Sequence, residues 1–269
     1  MANLTNHSKD SLTGRAGSAV IFLHGYGADG NDLLGLADPL SEHMPDTMFF
    51  APDAPERCTG NPMGYQWFPI PWIDGSSEEE SRAGMMRAVD ELNDYLDTIM
   101  VDYGFEADQI ALLGFSQGTM MSLHVAPRRE EPFACVVGFS GRLLEPEMLE
   151  DEMRVKMPVL LLHGDEDDVV PPQSLPEAGQ ALQSAGFETY AHIMRGTAHG
   201  ISPDGLEVAL AFLRKNLGYE KSCRNGIRRK SAKIRPLRAF SLNGARWPLT
   251  LKVRVLPILH IARRADPWI

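Results

Sequence analysis

Four short apolar runs recur along the first 200 residues, at 19–23, 109–113, 157–162 and 189–194, each bounded by glycine or polar turn residues. Runs of that length, apolar on successive positions, predict strands buried between two layers. The stretches between them carry a helical period. Ser77, with Glu80 three residues on, forms a capping box, and Met85, Val89, Leu92, Leu96 and Ile99 then share one face of a long helix. Residues 119–126 predict a helix stopped at Pro127, and another starts near Pro172. Ser202, Pro203 and Asp204 open a last helix, with Leu206, Leu210, Leu213 and Leu217 on its stripe. Strand and helix in alternation predict an α/β fold with a mostly parallel central sheet and helices on both faces. A chain of 269 residues suffices for one such domain with a sizeable core, and no repeat interrupts it.

The second run leads directly into Gly114-Phe115-Ser116-Gln117-Gly118, and the helix at 119–126 follows. Strand, G-x-S-x-G, helix is the context of a nucleophile elbow. A turn that sharp strains the serine backbone, and the flanking glycines let neighbouring elements approach without a Cβ between them. It lifts the Ser116 hydroxyl above the sheet and aims the Gln117 N–H, at a helix N-terminus, towards developing negative charge. The plain alternative is a glycine-rich turn that happens to contain serine.

A serine hydroxyl attacks only when a histidine takes its proton and a carboxylate holds that histidine. The run 157–162 ends at His163-Gly164 and opens an acidic loop in which Asp165, Asp167 and Asp168 compete; spacing does not separate them. Among eight histidines, His7, His43 and His260 lack a strand-end context. His24 and His163 each precede a glycine at a strand end, where stabilising a turn is as natural as chemistry, and His124 and His192 read as packed or hydrogen-bonded core groups. His199 lies between glycines on the loop after the last strand, just before the Ser202 cap, and is the candidate base. The loop after the first run, His24-Gly25-Tyr26-Gly27, supplies a second oxyanion donor in the Tyr26 N–H, beside that of Gln117. Between Arg57 and Ser77, Met63, Tyr65, Trp67, Phe68 and Trp72 stand among prolines and glycines. That aromatic loop predicts a substrate-binding acyl wall built from Met63, Trp67, Phe68 and Trp72, the plain alternative being a packed surface loop.

With these pieces in order the sequence resembles the phospholipase/carboxylesterase family of α/β-hydrolases. The resemblance rests on Phe22-Leu23-His24-Gly25-Tyr26-Gly27, Ala51-Pro52-Asp53-Ala54-Pro55, Gln66-Trp67-Phe68, Gly114-Phe115-Ser116-Gln117-Gly118, Leu162-His163-Gly164-Asp165-Glu166-Asp167 and Ala198-His199-Gly200. It implies an α/β-hydrolase domain over 15–218, with Ser116 as nucleophile, Asp167 as orienting acid and His199 as base. Two positions depart from the family pattern: Asp168 stands where proline usually follows the acid, and Pro69 follows Trp67-Phe68. The implied activity is hydrolysis of short- to medium-chain carboxylic esters through an acyl-enzyme. The alternatives are an acyl-protein thioesterase or lysophospholipase with the same triad, or a non-catalytic binding module on the same fold. No metal or organic cofactor is expected, and the partner is a small acyl ester or thioester.

Charge changes only the reading of the ends. The net charge is −10, yet residues 221–269 hold 13 of the 26 Lys+Arg and a single acid, Asp266. The segment 219–269 is read as a basic tail outside the domain: disordered, of frameshift origin, an arm for nucleic acid or anionic lipid, or folded back on the acidic body. Its alternating stretch 249–255 has strand character without an identifiable partner. For the folded domain no nucleic acid is expected. Residues 1–14 are expected to be a disordered polar start without a signal peptide, and no apolar run approaches a membrane span. Cys58, Cys135 and Cys223 form no metal spacing and are odd in number, which points to reduced thiols and a cytoplasmic location.

Overall fold

The computed structural model describes residues 4–222; the expectations for 223–269, including the stretch 249–255, lie outside the described residues. The chain opens with β1 (Asn6–Lys9) and β2 (Ser18–Leu23), then passes through two one-turn helices, α1 (Gly30–Leu34) and α2 (Ala37–Ser41), to β3 (Thr47–Pro52). A two-residue ladder, β4 (Glu56–Arg57) with β5 (Tyr65–Gln66), and the single turn α3 (Pro71–Asp74) lead to the long helix α4 (Glu78–Tyr103). The second half reads β6 (Ile110–Phe115), α5 (Gln117–Val125), β7 (Cys135–Phe139), α6 (Leu149–Glu152), β8 (Val159–Gly164), α7 (Ser174–Ser184), β9 (Thr189–Met194), α8 (Pro203–Asn216) and α9 (Tyr219–Ser222).

Seven strands form one sheet in the order β1-β3-β2-β6-β7-β8-β9, parallel throughout except for the antiparallel β1 edge. The unbroken apolar runs are explained by what covers them. In β2, Ala19, Ile21 and Leu23 belong to the core layer that also holds Leu92, Leu96 and Ile99 of α4 and apolar residues of α5 and α7. Val20 and Phe22 belong to the layer on the other face, with Leu33, Leu40, Leu210, Phe212 and Leu213 of α1, α2 and α8. Side chains alternate with period two, so a strand sandwiched between helix layers must be apolar at every position. The α4 cap is the expected one: Glu80 N–H donates to Ser77 Oγ at 3.1 Å and Ser77 N–H to the Glu80 carboxylate at 2.7 Å. Among the described residues no helix is long and apolar enough to cross a membrane.

Parallel order brings the working ends together. Leu23 pairs with Gly114, Phe115 with Phe139, and Gly164 with Met194. The loops carrying Tyr26, Ser116, Asp167 and His199 therefore leave the same edge of the sheet, where ligands of open α/β sheets bind.

Two boundaries differ from expectation. Asn6–Lys9 are not disordered: they pair with Lys9 opposite Phe49 and Asn6 opposite Pro52, and Asp53 N–H donates to Thr5 O at 2.8 Å. His7 lies on that strand, 3.0 Å from Asp53 Oδ1. At the other end the body reaches past 218, because the Tyr219 hydroxyl accepts from Asp46 N–H at 3.1 Å and meets Thr47 Oγ1 at 2.8 Å.

Candidate active site

Ser116 sits at the end of β6 with φ 53° and ψ −115°, a left-handed backbone that no side chain of its own stabilises. Such strain persists only where neighbours over-determine it. Here Ser116 N–H donates to Phe139 O at 2.8 Å, and the turn closes on α5 through Ser116 O, which accepts from Thr119 and Met120 N–H. The two glycines of the motif have separate reasons. A Cβ on Gly114 would lie 2.4 Å from Gly118 O, and one on Gly118 would lie 1.8 Å from Leu23 O. The elbow closes only because both are bare. Ser116 is buried but keeps 8 % of its surface.

The three competing aspartates separate by contact. Asp167 is buried, and its Oδ2 lies 2.8 Å from His199 Nδ1 and 3.2 Å from His163 Nε2. Its Oδ1 accepts the N–H groups of Val169 at 3.0 Å and Val170 at 2.9 Å. Burial pushes this carboxyl up, but the His199 hydrogen bond and the two backbone donors outweigh it and hold it below the ordinary aspartate range. Asp165 instead bonds the loop that carries His199, accepting Gly196 N–H at 2.7 Å and Arg195 Nη1 at 3.3 Å. Asp168 is exposed.

His199 stands with its ring 4.9 Å from that of Phe115, the residue before Ser116. Among the described residues the Ser116 hydroxyl has no hydrogen-bond partner; such contacts in empty sites often form only around bound substrate. The other histidines find structural work. His24 accepts Ala54 N–H on Nε2 at 2.9 Å and holds Gly25 O through Nδ1 at 2.8 Å, and burial keeps it below the usual histidine range. His163 also meets Val170 O, at 2.9 Å, which makes it a support of Asp167 that its strand-end position alone did not reveal. His192 takes the hydrogen-bonded of its two expected roles but is only half-buried: its Nε2 pairs with Asp204 Oδ2 at 2.8 Å at the start of α8.

The oxyanion candidates are backbone groups. The Gln117 N–H is at the first position of α5, among the donors a helix leaves without an internal acceptor. The Tyr26 N–H has no acceptor among the described residues, while the Tyr26 hydroxyl donates to Asp74 Oδ2 at 3.3 Å.

The aromatic loop departs most from expectation. Met63 and Trp72 are open, at 80 % and 73 % exposure, but Phe68 retains 7 % and Trp67 none. Trp67 shows no surface for a ligand to touch, and both of its N–H groups are satisfied inside the protein, by Gln117 Oε1 and His24 O, each at 2.9 Å. A polar cleft of about 500 Å³ lined by Glu56, Arg57, Gln66, Asp74, Glu80 and Arg87 contains none of Ser116, Asp167 or His199.

A doubly covered parallel sheet with a strained serine at a strand–helix turn defines an α/β-hydrolase. The sequence pattern of the phospholipase/carboxylesterase family matches residues 10–217, and the chain belongs to that family. It is 32 % identical over 216 residues to acyl-protein thioesterase 1 of Saccharomyces cerevisiae, covering 75 % of this chain and 94 % of that one. It is 27 % identical over 198 residues to the esterase YpfH of Escherichia coli, covering 72 % and 81 %. Among solved structures, the esterase PE8 superposes with a TM-score of 0.75 at 42 % identity, over 80 % of this chain and 99 % of that one. The reaction class that goes with this membership is carboxylic ester hydrolysis.

Proposed function

We propose that the chain hydrolyses short- to medium-chain carboxylic esters through an acyl-enzyme on Ser116, with His199 as base and Asp167 as orienter. The observation that carries this reading is the 2.8 Å His199–Asp167 contact beside the strained Ser116. With Asp167 ionised and bonded to Nδ1, the imidazole keeps its proton there and leaves Nε2 free to accept one. Ser116 Oγ attacks the acyl carbon while its proton passes to His199 Nε2. The carbonyl oxygen becomes an oxyanion held by the Tyr26 and Gln117 N–H groups. As the carbonyl reforms, the bond to the leaving group breaks and His199 returns the proton to it. Water then repeats the sequence on the acyl-enzyme, releasing the acid and restoring Ser116. The acyl chain is assigned to the side where Met63 and Trp72 are exposed.

The yeast relative favours a second reading, a thioester in place of the oxygen ester. The machinery is the same, and only the leaving atom differs. The test is kcat/KM across p-nitrophenyl esters from acetate to laurate, alongside an S-acyl thioester and a lysophospholipid. Highest values for short and medium oxygen esters support the first reading; a thioester preferred by tenfold or more, about 1.4 kcal/mol, supports the second. No turnover of any of them leaves a binding module on a hydrolase fold. Cys58 and Cys135, buried and without a disulfide partner among the described residues, fit the proposed reducing, cytoplasmic setting.

A further inference from the structure

We propose that Trp67 is a positioning residue that locks together the two backbone segments presenting the oxyanion donors. The inference rests on the hydrolase reading above and assigns Trp67 a part in transition-state stabilisation in place of substrate contact. The segment from Tyr65 to Phe68 lies as a strap across both donor segments. At its start, Tyr65 N–H donates to Ala28 O at 2.7 Å and Tyr65 O accepts Gly27 N–H at 2.8 Å. Two residues on, the Trp67 indole Nε1–H donates to His24 O at 2.9 Å. The loop is thus held at His24 and again at Gly27 and Ala28, on both sides of Tyr26. The strap then grips α5. Trp67 N–H donates to Gln117 Oε1 at 2.9 Å, and Gln117 Nε2 donates to Phe68 O at 2.7 Å.

The Gln117 amide therefore has one orientation, because an N–H needs its oxygen and a carbonyl needs its nitrogen. Its side chain faces the strap while its backbone N–H stays free for the oxyanion. Trp67, Gln117 and His24 are fully buried, so these bonds form away from water, where an unpaired group is costly. The His24 ring, 5.7 Å from the indole, pins the same loop to Ala54.

An oxyanion hole works only if its donors are already aimed when charge develops, and small displacements cost rate rather than affinity for the ground state. The segment bearing Tyr26 is a glycine-rich turn without regular structure of its own, whereas Gln117 sits on a packed helix. A buried indole that bridges them fixes one relative to the other. A packing residue would also be buried, but it would not need both N–H groups directed at these two segments.

Trp67→Phe keeps an aromatic six-membered ring and the backbone N–H and removes the indole donor together with its five-membered ring. With p-nitrophenyl butyrate, kcat should fall about tenfold with KM within about twofold. Affinity for a trifluoromethyl ketone, whose adduct with serine mimics the tetrahedral oxyanion, should fall by the same factor as kcat. If Trp67→Phe does not fold, Gln117→Met, which retains the Gln117 N–H, should give the same pattern. A raised KM with unchanged kcat would overturn the inference and return Trp67 to the acyl wall. Unchanged kcat and ketone affinity with lowered thermal stability alone would reduce it to packing. A wild type without turnover, and without labelling of Ser116, would overturn the inference together with the hydrolase reading. Full wild-type turnover that depends on Ser116, with Trp67→Phe unaffected, would sink the inference alone.

Discussion

Asparagine at position 167 has nearly the shape of aspartate, which makes Asp167→Asn a test of electrostatics and tautomer rather than of packing. Three donors converge on the native carboxylate, His199 on Oδ2 and the Val169 and Val170 N–H groups on Oδ1, while His163 Nε2, bonded to Val170 O, stands 3.2 Å from Oδ2. The asparagine oxygen keeps the two backbone donors, so its NH₂ faces the two imidazoles. Donor then meets donor, and His199 escapes by moving its proton from Nδ1 to Nε2. That tautomer presents N–H to Ser116 and accepts nothing. A wrong tautomer of this kind costs about 10⁴-fold in kcat, roughly 5 kcal/mol of transition-state stabilisation. Asp168→Asn, exposed and away from the imidazole, should stay within about twofold. Asp165→Asn keeps an acceptor for Gly196 N–H and should lose no more than about tenfold. The assay is kcat/KM for p-nitrophenyl butyrate at pH 8, with far-UV circular dichroism to show that each variant is folded. An Asp168→Asn enzyme as crippled as Asp167→Asn, or an Asp167→Asn enzyme within tenfold of wild type, would refute the reasoning.

Two further outcomes follow from packing and burial. Gly118→Ala should lower both stability and kcat although alanine is the better helix former by about 1 kcal/mol: its Cβ would lie 1.8 Å from Leu23 O and 2.8 Å from His24 O, backbone atoms that no rotamer change relieves. We expect about 1–3 kcal/mol lost in urea denaturation and about 10²-fold in kcat as the Gln117 N–H is displaced; a more stable, fully active variant would contradict the close approach. Burial, with Arg128 adding to it, pushes His124 down to about 4. The unfolded chain takes up that proton near its ordinary value of about 6.5, so stability falls as pH drops from there towards 4. His124→Gln should flatten this slope between pH 7 and 5, and an unchanged slope would remove His124 from the acid response.

The elbow was legible because its constraints are local. A strand, a helix and two glycines around Ser116 are all visible between Ile110 and Val125, and steric closure demands the glycines. The choice among Asp165, Asp167 and Asp168 was not, since it depends on where β9 and its loop bring His199, a matter of strand pairing between Gly164 and Met194. Residues Asn6–Lys9 carry no apolar run, and become a strand only because the edge of β3 offers unpaired backbone groups. Trp67 misled for a related reason. An aromatic residue among prolines and glycines has no periodicity to say whether it faces solvent, substrate or core, and its two N–H partners lie 43 and 50 residues away in sequence. Family resemblance carried the triad further than spacing did, but it held no information about the Gln117 side chain.

Labelling of Ser116 tests the central claim most directly. The wild-type chain, incubated with a fluorophosphonate probe and digested, should yield one labelled peptide with the adduct on Ser116, and the loss of esterase turnover should follow the extent of labelling. Ser116→Ala, folded by circular dichroism, should take no label and retain about 10⁻⁴ of the wild-type kcat or less. A folded Ser116→Ala chain that still turns over esters near the wild-type rate, or a label found on another residue while activity is lost, would contradict the account.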